Sequence, residues 1–107
     1  MNQGTRPELG PETGDGLTPE VKHKIKGILQ VLFPNAKVYL YGSRARGTHD
    51  IRSDIDLALD AGQRVRLGEA RAVLAGLYIP QKIDLIDLHA IADDFKEAIT
   101  PDFVEFS

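Results

Sequence analysis

Apolar positions change period several times along the chain. Val21, Ile25, Ile28, Leu29 and Leu32 recur every three to four residues, the spacing of a helix with one buried face. Thr18-Pro19-Glu20 precedes them: a hydroxyl for the N-cap, a proline suited to the first helical position, and an acid at the positive end of the dipole. Pro34 stops this helix. Residues 37–41, Lys-Val-Tyr-Leu-Tyr, are β-branched and aromatic and predict a strand. Residues 54–59 alternate, with Ile55, Leu57 and Leu59 on one side and Asp54, Asp56 and Ala58 on the other. Between the two strands lie Gly42-Ser43, a short helical stretch over 44–47, and a loop over 48–53. Leu67, Ala70, Leu74, Leu77 and Tyr78 mark a third helix ended by Pro80. A third strand over 82–88, a helix over 91–99 and a short edge strand over 103–106 complete the pattern. This order predicts an α/β (α+β) fold, a small mixed sheet of three to four strands flanked by helices.

Residues 1–17 lack any period. Gly4, Pro7, Gly10, Pro11, Gly14 and Gly16 interrupt the stretch, which predicts a flexible tail before a single domain over 18–107. A chain of 107 residues with 42% hydrophobic content suffices for one compact core and not for two. The absence of cysteine excludes disulfides, thiolate metal sites and cysteine nucleophiles. Nothing resembles a signal peptide, and the longest uncharged apolar run, residues 72–80, is too short to cross a bilayer. A cytoplasmic location is the expectation.

The net charge of −3 argues against extended nucleic-acid binding, but the charge is unevenly spread. Residues 37–53 hold Lys37, Arg44, Arg46 and Arg52 against Asp50 alone, whereas from Asp84 onward seven acids face only Lys96. A basic loop in an acidic protein suggests a local anion site, and the acidic final third offers a face to a basic partner.

The informative segment is residues 42–56, Gly-Ser-Arg-Ala-Arg-Gly-Thr-His-Asp-Ile-Arg-Ser-Asp-Ile-Asp. A glycine directly after a strand lets the backbone approach a ligand closely. Ser43 adds a hydroxyl, the amides opening the next helix point the same way, and Arg44 and Arg46 add charge: together, a cradle for phosphate. Asp54 and Asp56, two apart on a strand, project from one face roughly 6 to 7 Å apart at the backbone. Such a pair repels unless a cation lies between them, and Mg²⁺, with its preference for hard oxygen ligands and substrate phosphates, is the natural choice. Metal-assisted phosphoryl or nucleotidyl transfer is the chemistry this combination fits. Taken singly, each feature is common on protein surfaces. Asp84, inside Ile83-Asp-Leu-Ile, either faces solvent or meets a cation. Asp87 falls on the opposite face, Asp60 lies about 13 Å beyond Asp56, and His49 reads as an exposed loop residue. His23 and His89 have no evident partner.

Gly42-Ser43, ten residues, then Asp54-x-Asp56, framed by Tyr-Gly-Ser-Arg-Ala-Arg-Gly and Ser-Asp-Ile-Asp-Leu, resembles the minimal nucleotidyltransferases of the polymerase-β-like nucleotidyltransferase superfamily. The resemblance spans about residues 29–106. It implies that Gly42 and Ser43 hold the triphosphate of ATP, and that Asp54 and Asp56 bind two Mg²⁺ ions. Asp84 would be the third carboxylate, and Arg44 and Arg46 would support the phosphates. Small members of this kind are similar to the antitoxin half of pairs with a helical HEPN ribonuclease toxin, which implies transfer of AMP from ATP to a tyrosine of that partner. Three alternatives stand beside this expectation: a binding module that neutralises a partner by occlusion, an Asp-nucleophile phosphatase, and a small-molecule nucleotidyltransferase of the aminoglycoside-modifying type. The phosphatase would leave Gly42-Ser43 unexplained, and the last normally carries a second domain.

Overall fold

The first helix starts where its cap dictates. In the computed structural model, which describes residues 14–106, Thr18 Oγ1 accepts a hydrogen bond from the Val21 amide at 3.2 Å and Pro19 opens α1 (Pro19–Leu32). Ile25 and Leu29 on its inner face are fully buried, and burial of each side chain stabilises the fold by about 2 kcal/mol. The helix ends at Phe33, whose amide returns to the Leu29 carbonyl, just before Pro34.

The remaining elements follow as β1 (Lys37–Tyr41), α2 (Ser43–Arg46), β2 (Ile55–Asp60), α3 (Gly68–Ala75), β3 (Ile83–Asp87), α4 (Asp93–Ile99), a 3-10 turn (Thr100–Asp102) and β4 (Val104–Glu105). One four-stranded mixed sheet results, in the order β3-β2-β1-β4. β1 pairs antiparallel with β2 and β4, while β2 and β3 run parallel across the α3 crossover. This is the expected fold class. The predicted elements are present, with shorter α3 and α4 and only two residues of the last strand.

The alternation read from the sequence separates two apolar layers. Leu40, Ile55, Leu57, Leu59 and Leu85 face α1 and α3 and form the main core with Ile25, Leu29, Leu67, Ala70 and Leu74. The opposite sheet face carries a smaller cluster, Tyr41, Ala58, Leu88 and Ile99, extended by Tyr39, Ile86, Ile91 and Phe103. It covers the middle of that face and leaves the end nearest α2 open, where Asp54 and Asp84 are exposed and Asp56 is half-buried.

One boundary is corrected. Residues 1–13 of the expected tail lie outside the described residues, but residues 14–17 pack against the domain. Leu17 is in the main core at 1% exposure. Asp15 pairs with Lys22 at 2.9 Å, and its carbonyl accepts from Arg44 Nη1 at 2.9 Å. No helix among the described residues is long and apolar enough to cross a membrane.

Candidate active site

The turn between β1 and α2 is built for close approach. Gly42 adopts φ 78° and ψ −154°, a region essentially restricted to glycine. A Cβ there would come within 2.6 Å of Asp56 Oδ2 on the neighbouring strand. Ser43, half-buried, opens α2; the Arg46 amide donates to the Gly42 carbonyl, and Gly47 ends the turn in the left-handed region. A helix of four residues adds little dipole, so any anion held here depends on individual amides, the Ser43 hydroxyl and nearby cations.

Sheet register gathers the acids. Asp56 is the direct partner of Asp84 across the parallel β2–β3 pair, and of Tyr41 across the antiparallel β1–β2 pair. In-register residues on neighbouring strands leave the same face about 4.8 Å apart at the backbone. Asp54, two residues before Asp56 and just outside β2, falls on that face by the same alternation. The sheet therefore brings Asp54, Asp56 and Asp84 to one open end of one face, beside Gly42.

Their fields overlap. Burial, then the charges of Asp84 and Asp54, push the Asp56 carboxyl above its ordinary value, while Arg46 partly offsets them. Burial, with Asp56 and Asp84 adding to it, pushes the Tyr41 hydroxyl up to about 12. Uncompensated carboxylates of this kind suit a hard divalent cation. Among the described residues, however, no three His, Cys, Asp or Glu side chains stand close enough to hold a metal by themselves. The donor set thus fits an ion that takes one or two protein carboxylates and completes its shell with water and substrate phosphates, as Mg²⁺ does, and does not fit a closed protein cage.

The two arginines part company. Arg44 is only 2% exposed and turns away from the carboxylates. Its Nε and Nη2 donate to the Ser53 carbonyl at 3.1 and 3.0 Å, and Nη1 to the Asp15 carbonyl. The expected phosphate role does not match this placement: Arg44 clamps the 50–53 loop and the residues before α1. Arg46 stays at the site, half-exposed, with Nη1 2.6 Å from Asp102 Oδ2.

Other candidates fall outside. Asp60, on the same face at the far end of β2, bonds His89 Nε2 at 2.7 Å, a partner for His89 that sequence inspection missed. Asp87 is buried on the opposite face and accepts from the Val65 and His89 amides at 2.9 Å each, a structural brace. His49, expected to be exposed, is half-buried behind Gly16, and its Nδ1 has no hydrogen-bond partner among the described residues. Tyr41 and Asp102 belong beside the site and were not anticipated. Period-two alternation on β1 could have indicated Tyr41; nothing local could have indicated Asp102.

Residues 23–102 match the family described as "Polymerase beta, Nucleotidyltransferase". A Haemophilus influenzae protein described as "Probable protein adenylyltransferase MntA" is 37% identical over 86 residues, covering 75% of this chain and 73% of its own. A Sulfolobus solfataricus crystal structure, described provisionally as a nucleotidyltransferase, matches 92% of this chain and 91% of its own at 21% identity and a TM-score of 0.48, a likeness too distant to bear on function.

Proposed function

The chain belongs to the polymerase beta nucleotidyltransferase family, and on that premise we propose that it transfers AMP from ATP to a hydroxyl of a partner protein. The observation that supports this most is the register of Asp56 with Asp84 beside Gly42. Acids on two different strands converge on the end of the sheet where the backbone can approach a phosphate.

In this reading Asp54, Asp56 and Asp84 would hold two Mg²⁺ ions, which would supply charge neutralisation on the attacking and leaving oxygens. The Gly42 backbone and Ser43 hydroxyl orient the triphosphate, and Arg46 adds a positive charge at the rim. The acceptor oxygen attacks the α-phosphorus, the bond from that phosphorus to the bridging oxygen of the β-phosphate breaks, and pyrophosphate leaves. Asp84, exposed at the edge strand, accepts the hydroxyl proton.

A protein acceptor suits the open site. Asp54 and Asp84 at the acidic end of the sheet are exposed to solvent, within reach of a large acceptor, and the Haemophilus influenzae relative is described as a protein adenylyltransferase. The proposed acceptor is a HEPN-type toxin, silenced by modification of a tyrosine, which makes this chain its antitoxin in the cytoplasm. The test is to mix the purified chain with a purified HEPN-type toxin and with Mg²⁺-ATP, then measure intact mass. An added adenylyl group that disappears with Asp54→Asn and Asp56→Asn supports the reading. An unmodified partner that is nevertheless neutralised by the double variant overturns it in favour of occlusion.

A further inference from the structure

We infer that Asp102 is a positioning residue: its carboxylate holds the Arg46 guanidinium at the open end of the acidic sheet face, ready for the phosphates of the incoming nucleotide. The inference rests on the nucleotidyl-transfer reading above and adds to it a residue from a remote segment.

The contact is short and long-range in sequence, Arg46 Nη1 donating to Asp102 Oδ2 at 2.6 Å across 56 residues. The backbone that carries Asp102 is itself anchored. The next residue, Phe103, stacks on Tyr39 with ring centroids 4.9 Å apart and planes within 9°, and meets Tyr41 at 6.4 Å. Tyr39 and Tyr41 are the strand partners of Ala58 and Asp56, so Phe103 packs on the same face that carries the carboxylates. Asp102 therefore has a fixed place from which to aim Arg46.

Arg46 ends α2, three residues after Ser43, and its charge already reaches Asp56. Among the described residues only one of its guanidinium donors is engaged, and an arginine has five. The remaining donors are available to phosphate oxygens. A long side chain free in water loses rotamer freedom when it binds; one already held does not, which favours nucleotide affinity. With Arg46 51% exposed, the pair does little for stability, so a bracing role explains it poorly.

The experiment is calorimetric titration of Mg²⁺-ATP into the full chain and into Asp102→Asn, Asp102→Glu, Arg46→Ala and the Asp102→Asn/Arg46→Ala pair, with thermal unfolding of each. Asp102→Asn should weaken binding about 5-fold while its melting temperature holds, and Asp102→Glu should recover most of the loss. In the Arg46→Ala background Asp102→Asn should add nothing. Unchanged or tighter binding by Asp102→Asn overturns the inference alone, as does equal weakening with Arg46 absent. Failure of the unaltered protein to bind Mg²⁺-ATP overturns the nucleotide reading, and this inference with it.

Discussion

Gly42 and Asp56 meet so closely that one methyl group on the glycine would stand 2.6 Å from the aspartate Oδ2. Two independent demands thus converge on residue 42: a backbone conformation at φ 78° and ψ −154°, and the absence of a side chain between turn and carboxylate. Gly42→Ala should cost about 1–3 kcal/mol of stability and displace Asp56. Urea unfolding measures the first effect. Nucleotide transfer measured well below the melting temperature isolates the second, which should be a loss of at least about tenfold.

Arg44 makes the opposite prediction. Its guanidinium is buried and committed to the carbonyls of Ser53 and Asp15. Arg44→Met leaves those acceptors without their donor and should destabilise the fold by about 2–4 kcal/mol. Mg²⁺-ATP affinity, measured where the variant remains folded, should stay unchanged. A weakened affinity with normal stability would return Arg44 to the phosphate site.

Asp56 is a liability to the metal-free fold. Burial and the neighbouring acids raise its pKa, so the folded state holds that proton more tightly than the unfolded state does. The associated stability is present below the ordinary carboxylate pKa and is lost as pH rises through the raised value. Asp56→Asn keeps the shape and removes the charge. At neutral pH it should raise the melting temperature of metal-free protein by on the order of 2 °C. The same substitution should reduce transfer by about a thousandfold or more. Added Mg²⁺ with ATP should raise the melting temperature of the unaltered protein and leave the variant's where it was.

Asp60 provides the contrast, an acid on the same face outside the site. Its pKa is lowered, first by the His89 hydrogen bond and then by the Gly62 amide. Its contribution to stability is therefore present above the ordinary carboxylate pKa and lost as pH falls through the lowered value. With the side chains 34% and 38% exposed, solvent screening keeps that contribution well under about 1 kcal/mol. Asp60→Asn should leave transfer intact and cost a little stability, detectable as a slightly lower melting temperature at pH 6 that converges with the unaltered protein's toward pH 2.

Much of this was legible in the chain because period two is unambiguous where one sheet face is apolar. Ile55, Leu57 and Leu59 could only face the helices, which sent Asp54 and Asp56 to the other side. The same alternation separates Asp84 from Asp87. What alternation cannot supply is register between strands: that Asp84 lies opposite Asp56, and not two residues along, depends on the Ile55–Ile83 pairing. Arg44 was misread because Arg-Ala-Arg looks like a solvated run, whereas on a four-residue helix positions 44 and 46 point to different sides. Leu17 was misread as tail because glycines surround it; a large apolar residue directly before the Thr18 cap was the available sign. Asp102 and Arg46 meet through tertiary packing alone.

The most direct measurement incubates the purified chain with a purified HEPN-type toxin and ATP labelled at either the α- or the γ-phosphate. Nucleotidyl transfer by the carboxylate face places α-label on protein and leaves γ-label in released pyrophosphate, and Asp56→Asn abolishes the signal. Label arriving from the γ-position, or α-label that survives Asp56→Asn, would contradict it.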